Sequence, residues 1–408
     1  MQGSSSSTPG YDVASIRSRF PALADGFAYL DGAAGTLVPA SVIEAITAAH
    51  RSGLGNVGGA FPASRRSGDI VAEARRAVAD LVGGDPGGVV FGPNMTTLTY
   101  RMSQALAKTW RGGDVVVVSR LDHDANVRPW VQAAERAGVE VRWAEVELAT
   151  GELPVAQYDE LIGEGTRLVA VSAASNCIGT RPDVAAIAAR AHAAGALVYV
   201  DGVHATPHGP VDVVALGADF YVTSAYKWAG PHIGALVASP ALLEELHPDK
   251  LAPSSDLVPG RFEWGTSSFA DLAGVTAAVE HLANLDASAQ GSRRERVLAS
   301  MAASERHELT LLAELLEGLE AMAVVTTYGK APRRAATAFF NVAGHSPGQV
   351  AEHLAACGVN VWNGDNYAYE LTRALGLRQT GGAVRAGLVH YSDRSDVQRL
   401  LEGLDSLA

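Results

Sequence analysis

The sequence predicts an α/β protein with a largely parallel sheet covered by helices on both faces, followed by a smaller α+β domain. Its 408 residues, 48% of them hydrophobic, suffice for one large core and a second, smaller one. From about residue 89 to residue 238, short apolar runs rich in β-branched residues alternate with helical patterns. Such alternation is typical of a parallel sheet that is buried on both faces.

The large domain follows from these alternating patterns in chain order. Strands are predicted at residues 28–30, 89–91, 114–119, 139–143, 168–172, 196–200, 220–223 and 234–238. Helices are predicted at residues 15–23, 41–50, 67–82, from about 95 to 110, up to 137, at 155–162, 183–194 and 271–285. Ser41 is the predicted N-cap of the second helix.

The same alternation continues on a smaller scale after a long helix at residues 292–322. It predicts strands at 336–342, 359–362 and 384–388, and helices at 347–357, 369–375 and 395–407. We therefore divide the chain into an N-terminal tail and arm (residues 1–27), a large domain (28–285) and a small C-terminal domain (286–408).

Composition narrows the possible partners and the location. The formal net charge is −12 without a basic stripe, which argues against nucleic acid as a partner. We find no apolar run of about 18 residues, so no membrane span is predicted. The first ten residues lack the features of a secretory signal. Only Cys177 and Cys357 are present, without metal-ligand spacing, and such low cysteine use favours a cytoplasmic protein.

Four polar side chains follow predicted strands of the parallel sheet directly. His123, Asn176, Asp201 and Lys227 each lie at or just beyond the carboxyl end of a strand. Because ligands of open α/β sheets bind beyond these ends, we expect the four side chains to share one site.

The pair Asp201 and Lys227 indicates a particular cofactor. A lysine between two aromatic residues after a buried strand is desolvated, which favours the neutral, nucleophilic amine. Pyridoxal phosphate needs such a lysine for a Schiff base and an acid that keeps its ring nitrogen protonated. The turn at residues 92–97 (GPNMTT), between a strand and a helix, is typical of a phosphate site at a helix N-terminus.

These residues resemble a known family. The chain is similar to fold-type I pyridoxal-phosphate enzymes of the class V aminotransferase group, close to cysteine desulfurases. Seven fragments in the same order carry the resemblance: residues 29–34 (YLDGAA), 121–126 (LDHDAN), 175–180 (SNCIGT), 200–204 (VDGVH), 219–228 (DFYVTSAYKW), 262–266 (FEWGT) and 384–391 (VRAGLVHY).

The resemblance implies roles for individual residues. Lys227 would form the Schiff base and move the proton at Cα, Asp201 would pair with the ring nitrogen, and His123 would stack on the ring; these three are the predicted catalytic residues. The remaining predicted contacts to the cofactor are Met95, Thr96, Asn176, His204, Ser224 and, from a neighbouring subunit, Thr266. The last contact implies a homodimer with shared sites.

The resemblance also implies how the amino-acid substrate is held. Arg385 would clamp its α-carboxylate, because the guanidinium fork matches a carboxylate. Ala33, Tyr226 and Tyr367 are further predicted substrate contacts. Tyr226 stands where desulfurases carry a histidine; Tyr226 and Tyr367 either act as acid or base, or pack. The aromatic residues Trp228 and Tyr369 are expected to line the same space.

One departure from the family decides the expected reaction. Cysteine desulfurases carry a nucleophilic cysteine before the carboxylate-binding arginine, whereas residues 361–382 contain none. Without a thiolate there is no acceptor for the sulfur of the substrate. We therefore expect Cα deprotonation followed by β-elimination from a cysteine S-conjugate, a C–S lyase reaction. The alternatives are a cysteine desulfurase, an aminotransferase, a racemase, a decarboxylating or oxidatively deaminating enzyme, or a non-catalytic cofactor-binding scaffold.

Overall fold

A computed structural model describes residues 10–407 of the chain. The strands are β1 (Ala28–Tyr29), β2 (Val89–Gly92), β3 (Val115–Ser119), β4 (Glu140–Ala144), β5 (Thr166–Ser172), β6 (Leu197–Asp201), β7 (Phe220–Ser224), β8 (Gly234–Ala238), β9 (Val325–Tyr328), β10 (Thr337–Val342), β11 (Val359–Asn360), β12 (Trp362–Gly364) and β13 (Ala383–Gly387). They form a seven-stranded sheet, a four-stranded sheet and a two-stranded pair.

The seven-stranded sheet has the order β2-β8-β7-β6-β5-β3-β4. All neighbours from β7 to β4 pair in parallel, and β8 runs antiparallel to both β7 and β2. Buried valines explain why its strands read as continuous apolar runs: Val115 and Val117 enter one core, while Val116 and Val118 enter the other. The predicted α/β class with a largely parallel sheet is confirmed.

The helices cover both faces of this sheet and one face of the smaller one. They are α1 (Val13–Arg17), α2 (Ala40–Arg51), α3 (Pro62–Val82), α4 (Met95–Ala107), α5 (Arg128–Ala137), α6 (Tyr158–Leu161), α7 (Val184–Ala193), α8 (Pro240–Glu244), α9 (Phe269–Ala283), α10 (Arg293–Ala321), α11 (Pro347–Ala356), α12 (Tyr369–Ala374) and α13 (Arg394–Asp405). Helices α4 and α5 pack on one face of the large sheet, and α7 packs on the other. No helix in the described range is both long and apolar enough to cross a membrane.

The C-terminal sheet is antiparallel throughout, in the order β12-β13-β10-β9. Its core is shared with helices α10, α11 and α13. The predicted strand at residues 359–362 is in fact two strands, because β11 pairs with β1 whereas β12 pairs with β13. Segment β1, placed by the sequence at the start of the large domain, thus hydrogen-bonds to a C-terminal strand. The exact domain boundaries stay a prediction.

The N-terminal arm packs against the C-terminal part of the chain. The hydroxyl of Tyr11 donates to the carbonyl of His390 at 2.6 Å, and Ile16 and Phe20 are buried. The predicted helix at residues 15–23 is instead α1, capped by Asp12, followed by a 3-10 turn. Most of the predicted flexible tail, residues 1–9, lies outside the described residues.

A glycine at the start of β8 allows two backbones to approach each other beside the N-terminus of α4. A Cβ atom on Gly234 would lie 2.4 Å from the carbonyl carbon of Asn94, the N-cap of α4. The obstructing atom belongs to backbone, so it cannot rotate away.

We therefore expect Gly234→Ala to destabilise the protein by about 1–3 kcal/mol, because the α4 N-terminus must shift to admit the methyl group. The measurement is urea denaturation of the cofactor-free protein. Gly112→Ala is the matched control, since a Cβ atom there meets nothing within 4 Å. Equal unfolding midpoints for the two variants would contradict the close approach.

Candidate active site

The carboxyl ends of β3, β5, β6 and β7 meet at one edge of the seven-stranded sheet, where a cavity opens. Most of the predicted site residues line this cavity: Ala33, Met95, Thr96, His123, Asn176, Asp201, His204, Tyr226 and Lys227. A second cavity shares Lys227 and His123 with the first and adds Arg385 and Tyr367. The structure thus brings together four residues that the sequence places at strand ends.

Lys227 follows β7 in a 3-10 turn and is held by the N-terminal segment. Its ammonium donates to the carbonyl of Ala33 at 2.6 Å and lies 5.4 Å from the centroid of the Tyr226 ring. Burial, followed by the positive charge of Arg385, lowers the pKa of Lys227 to about 7; Asp201 and Asp31 oppose this shift. The neutral form of the amine is therefore accessible at neutral pH.

Asp201 ends β6 and is buried. Its Oδ1 atom accepts a hydrogen bond from the amide of Val203 at 2.9 Å. Burial raises the pKa of Asp201 to about 6, and the Val203 amide and Lys227 limit the shift. The carboxylate is mostly ionised at neutral pH, as an acid that pairs with a protonated ring nitrogen must be.

His123 faces the cavity as a neutral ring. Its Nδ1 atom accepts from the amide of Ala125 at 3.0 Å, so Nε2 carries the proton. Burial and the cations Lys227 and Arg385 lower the pKa of His123 to about 3. The ring of Tyr367 stacks on it, with centroids 5.4 Å apart and planes inclined by 19°.

The turn before α4 is shaped for an anion. The side chain of Asn94 caps the helix by accepting from the amide of Thr97, and the amide of Met95 donates to Ser224 Oγ at 2.9 Å. Among residues 10–407 the amide of Thr96 has no acceptor. A free amide at the positive end of a 13-residue helix is suited to bind a phosphate.

Arg385 is a buried cation without a counterion. The side chain, from β13, is 5% exposed, and its Nη1 atom donates to the carbonyl of Asn176 at 3.1 Å. No acidic side chain of the described residues lies within 4.0 Å of it. Burial lowers its pKa. Since an unpaired buried charge is costly, this geometry suits an anionic ligand.

His204, Ser224 and Thr266 differ in how they relate to the first cavity. His204 is buried and its Nε2 atom shares a 2.9 Å hydrogen bond with Thr337 Oγ1. Ser224 contacts the site through the Met95 amide rather than by lining it. Thr266 is exposed and lines a separate cavity. Its predicted contact with the phosphate of a neighbouring subunit stays a prediction.

Two expected lining residues lie elsewhere. Trp228 is fully buried, and its Nε1 donates to Thr223 Oγ1 at 3.1 Å in the core. Tyr369 packs between the guanidinium groups of Arg128 and Arg378, at 5.3 and 3.8 Å from its centroid. The expectation that both line the substrate space is wrong. Neighbouring residues of a turn or a helix point to different sides, so a position next to a cavity-lining residue does not place a side chain in the cavity.

The segment that lacks a cysteine crosses the mouth of the second cavity. Asn366 and Tyr367 both adopt positive φ angles, 50° and 58°, which cost non-glycine residues roughly 1–2 kcal/mol each. Tyr367 is 73% exposed and Trp362 is 50% exposed, so both present aromatic surface at this mouth. The sequence suggested Tyr367 as a contact but gave no signal for this backbone conformation.

Neither cysteine lines the two cavities of the site. Cys177 is fully buried, and its thiol donates to the carbonyl of Asp365 at 3.8 Å. Burial raises the pKa of Cys177 to about 12, so the thiol stays protonated at neutral pH. Cys357 lies at the end of α11, with His353 at 3.8 Å, on the C-terminal domain.

Two acidic residues of the site were not singled out in the sequence. Asp122, next to His123, is buried, accepts from Asn126 at 2.7 Å, and burial raises its pKa to about 7. Burial raises the pKa of Asp31, and the positive charges of Arg385 and Lys227 limit the rise. The fragments YLDGAA and LDHDAN contain both residues, so position within these fragments was the only available signal.

These features fit pyridoxal phosphate. A carboxylate for the ring nitrogen, an amine of depressed pKa and a helix N-terminus for the phosphate border one cavity. In addition, the buried Oδ1 atom of Asn176 has no hydrogen-bond partner within the described residues. Such an orphaned polar atom is rare unless a ligand satisfies it.

The fold and the site define a pyridoxal-phosphate enzyme of fold-type I. Residues 28–400 match the family model described as Aminotransferase class-V, and the chain belongs to this family. It is a pyridoxal-phosphate-dependent enzyme related to cysteine desulfurases, as the resemblance implied.

Three comparisons illustrate this relationship. An uncharacterised protein of Mycobacterium tuberculosis is 40% identical over 399 residues, covering 97% of this chain and 99% of that protein. A probable cysteine desulfurase of Pseudomonas aeruginosa is 33% identical, covering 95% and 96%. The crystal structure of the cysteine desulfurase CsdA of Escherichia coli superposes with a TM-score of 0.84 at 28% identity, covering 97% and 98% of the chains.

The depressed pKa of Lys227 can be measured in the cofactor-free protein. Competitive acetylation with acetic anhydride, quantified by peptide mass spectrometry, should give a titration midpoint at a pH of about 7, because only the neutral amine reacts. Arg385→Gln should raise this midpoint, since it removes a nearby positive charge, and Asp201→Asn should lower it. A midpoint near the usual lysine value of about 10.4 would show that the amine is solvated.

Proposed function

We propose that this protein is a C–S lyase that releases a thiol from the β-carbon of a cysteine S-conjugate. One observation carries the proposal: Lys227 and the unpaired cation Arg385 border connected cavities, and neither cavity is lined by a cysteine thiol that could accept sulfur. Lys227 and Arg385 serve any reaction that starts at Cα of an amino acid. The lack of a thiol lining these cavities removes the sulfur-transfer step that defines a desulfurase.

In this proposal the cofactor is held by the residues that line the first cavity. Asp201 would hold the ring nitrogen, His123 would cover the ring, and Asn176 and His204 would contact the ring oxygen. Met95 and Thr96, with Ser224 behind the Met95 amide, would hold the phosphate at the N-terminus of α4. When bound, pyridoxal phosphate supplies an electron sink that weakens the bonds at Cα.

The protein groups then select which bond breaks. Arg385 binds the α-carboxylate, which orients the substrate between Ala33 and Tyr226. Lys227 removes the proton from Cα, and the electron pair leaves with the sulfur as the Cβ–S bond breaks. The thiolate takes up a proton, and the remaining three-carbon fragment is hydrolysed to pyruvate and ammonium. The overall reaction consumes one water and requires no redox partner.

The aromatic mouth favours a substrate that is larger than free cysteine. Tyr367 and Trp362 expose wide apolar surfaces beside Arg385, where the sulfur substituent extends once the carboxylate is bound. Thioether substituents, aromatic ones in particular, pack well on such rings.

We also infer that the protein works as a cytoplasmic homodimer, with Thr266 contacting the phosphate in the neighbouring site. The exposure of Thr266 in a single chain supports this contact.

We expect the purified protein with pyridoxal phosphate to convert S-benzylcysteine to pyruvate, ammonium and benzyl thiol. The assay couples pyruvate to lactate dehydrogenase and titrates the thiol. Lys227→Ala should lower the rate by about 10²–10⁴-fold because it removes the base at Cα. Products that retain the sulfur, such as an oxo acid or an amine, would replace the lyase assignment with transamination or decarboxylation.

The cysteine variants separate a lyase from a desulfurase. Cys177→Ala and Cys357→Ala should each retain kcat within about twofold, because neither thiol takes part in breaking a bond of the substrate. Free cysteine should yield pyruvate and hydrogen sulfide rather than alanine, identified by mass spectrometry. Alanine formation that is lost in Cys177→Ala would restore the desulfurase assignment.

A further inference from the structure

Glu370 is a buried carboxylate at the centre of an arginine cluster beside the active site. It lies in the first turn of α12 and is 3% exposed. Its Oε2 atom pairs with Arg120 at 2.9 Å and with Arg373 at 3.0 Å, and its Oε1 atom pairs with Arg128. Of the three arginines, only Arg373 belongs to the same helix.

The other two arginines lie beside the large sheet, one directly after a strand and one on a helix that covers it. Arg120 directly follows β3, and Arg128 begins α5, so both flank the segment that carries His123. Glu370 therefore joins the start of α12 to the edge of the parallel sheet at which the site is built. A desolvated, multiply paired carboxylate holds its partners more firmly than a surface ion pair does.

The four residues that precede α12 are held by the same part of the large domain. The backbone carbonyls of Asp365, Asn366 and Tyr367 accept hydrogen bonds from the Cys177 thiol, the Asn176 amide group (2.8 Å) and the Asp124 amide (2.7 Å), respectively. This docking keeps Asn366 and Tyr367 in the left-handed conformation. Such a conformation persists where surrounding contacts enforce it.

The consequence of this docking is the position of one ring. Tyr367 is mostly exposed, yet its ring stacks on His123 at the mouth of the cavity that contains Arg385. No hydrogen bond of the Tyr367 hydroxyl to another described residue holds it there. Its backbone conformation, and thus the anchoring of segment 365–368, determines where the ring lies.

We propose that Glu370 is a positioning residue for substrate specificity. Through Arg120 and Arg128 it holds segment 365–368 against the large domain, and it thereby places Tyr367 where the substituent on the substrate sulfur extends. The anchoring of segment 365–368 does not depend on the reaction, whereas the contact of Tyr367 with the sulfur substituent rests on the proposed function.

The first test uses the cofactor-free protein and hydrogen–deuterium exchange. The amides of Tyr367 and Ala368 donate to Asp365 within the segment, at 3.1 and 2.8 Å, so their exchange reports its opening. Glu370→Gln should accelerate this exchange about tenfold, because the amide cannot neutralise the arginines. Glu145→Gln is the matched control: Glu145 is an exposed partner of Arg120, and its loss should leave exchange unchanged. Unchanged exchange in Glu370→Gln would overturn the proposal.

The second test measures ligand binding and kinetics in the holoenzyme. Glu370→Gln should raise KM for S-benzylcysteine about tenfold while kcat changes less than about threefold, because the reacting groups stay in place. The apparent Kd of S-benzylcysteine, from the change in cofactor absorbance, should rise by the same factor even if no thiol is released. A rise in Kd without thiol release would contradict the lyase assignment but support the positioning role of Glu370. A fall in kcat with constant KM and Kd would overturn the role.

A variant that leaves the buried charges intact covers the case in which Glu370→Gln fails to fold. Tyr367→Ala removes an exposed ring, so the fold should persist. Its kcat/KM should fall about tenfold more for S-benzylcysteine than for S-methylcysteine, because only the larger substituent reaches the ring. Equal losses for both substrates would show that Tyr367 does not contact the substituent.

Discussion

Two basic side chains, Lys227 and Arg385, share one desolvated region, and the properties of the site depend on this burial and on the mutual repulsion that adds to it. They come from different sheets, Lys227 from the turn after β7 and Arg385 from β13. Arg385 stays charged because its intrinsic pKa is very high, so the cost of crowding two cations falls on the lysine. Burial lowers the pKa of Lys227 most, and the charge of Arg385 lowers it further, to about 7, so part of the amine is neutral at neutral pH.

This repulsion gives substrate binding an electrostatic effect on Lys227. A carboxylate that pairs with Arg385 neutralises a charge that lowers the pKa of Lys227. The amine then becomes more basic, and its affinity for a proton increases after the substrate has been oriented. In the proposed lyase, the group that clamps the carboxylate thus also prepares the base that removes the Cα proton. Asp201 and Asp31 act in the same direction, since both favour the charged lysine.

Local pattern was sufficient to predict the parallel sheet and the edge where the site lies. Val115 to Val118 alternate between two buried faces, so their apolar run predicts a central strand, and polar residues after such strands meet at the carboxyl edge. Packing that depends on distant partners was not predictable in this way. Trp228 follows Lys227 directly but points into the core, and β11 separates from β12 because each pairs with a different strand.

The conformation of segment 365–368, in the region without a cysteine, was the least predictable part of the site from sequence. Its conformation depends on Arg120 and Arg128, which lie about 250 residues before Glu370 and give no local signal. The contact with Cys177 uses the sulfur as a hydrogen-bond donor, so this thiol contributes to the position of the segment rather than to nucleophilic attack.

A persulfide-forming cysteine must reach the sulfur of its substrate and then present it to an acceptor, which requires a mobile, exposed thiolate. Segment 365–368 is instead held by three backbone carbonyls and by the buried pairs of Glu370. Its exposed side chain, Tyr367, cannot form a persulfide, and its ring stacks on His123. The absence of the cysteine and the anchoring of the segment therefore agree with the proposed lyase, in which this part of the site holds a side chain in place while Lys227 moves the proton at Cα.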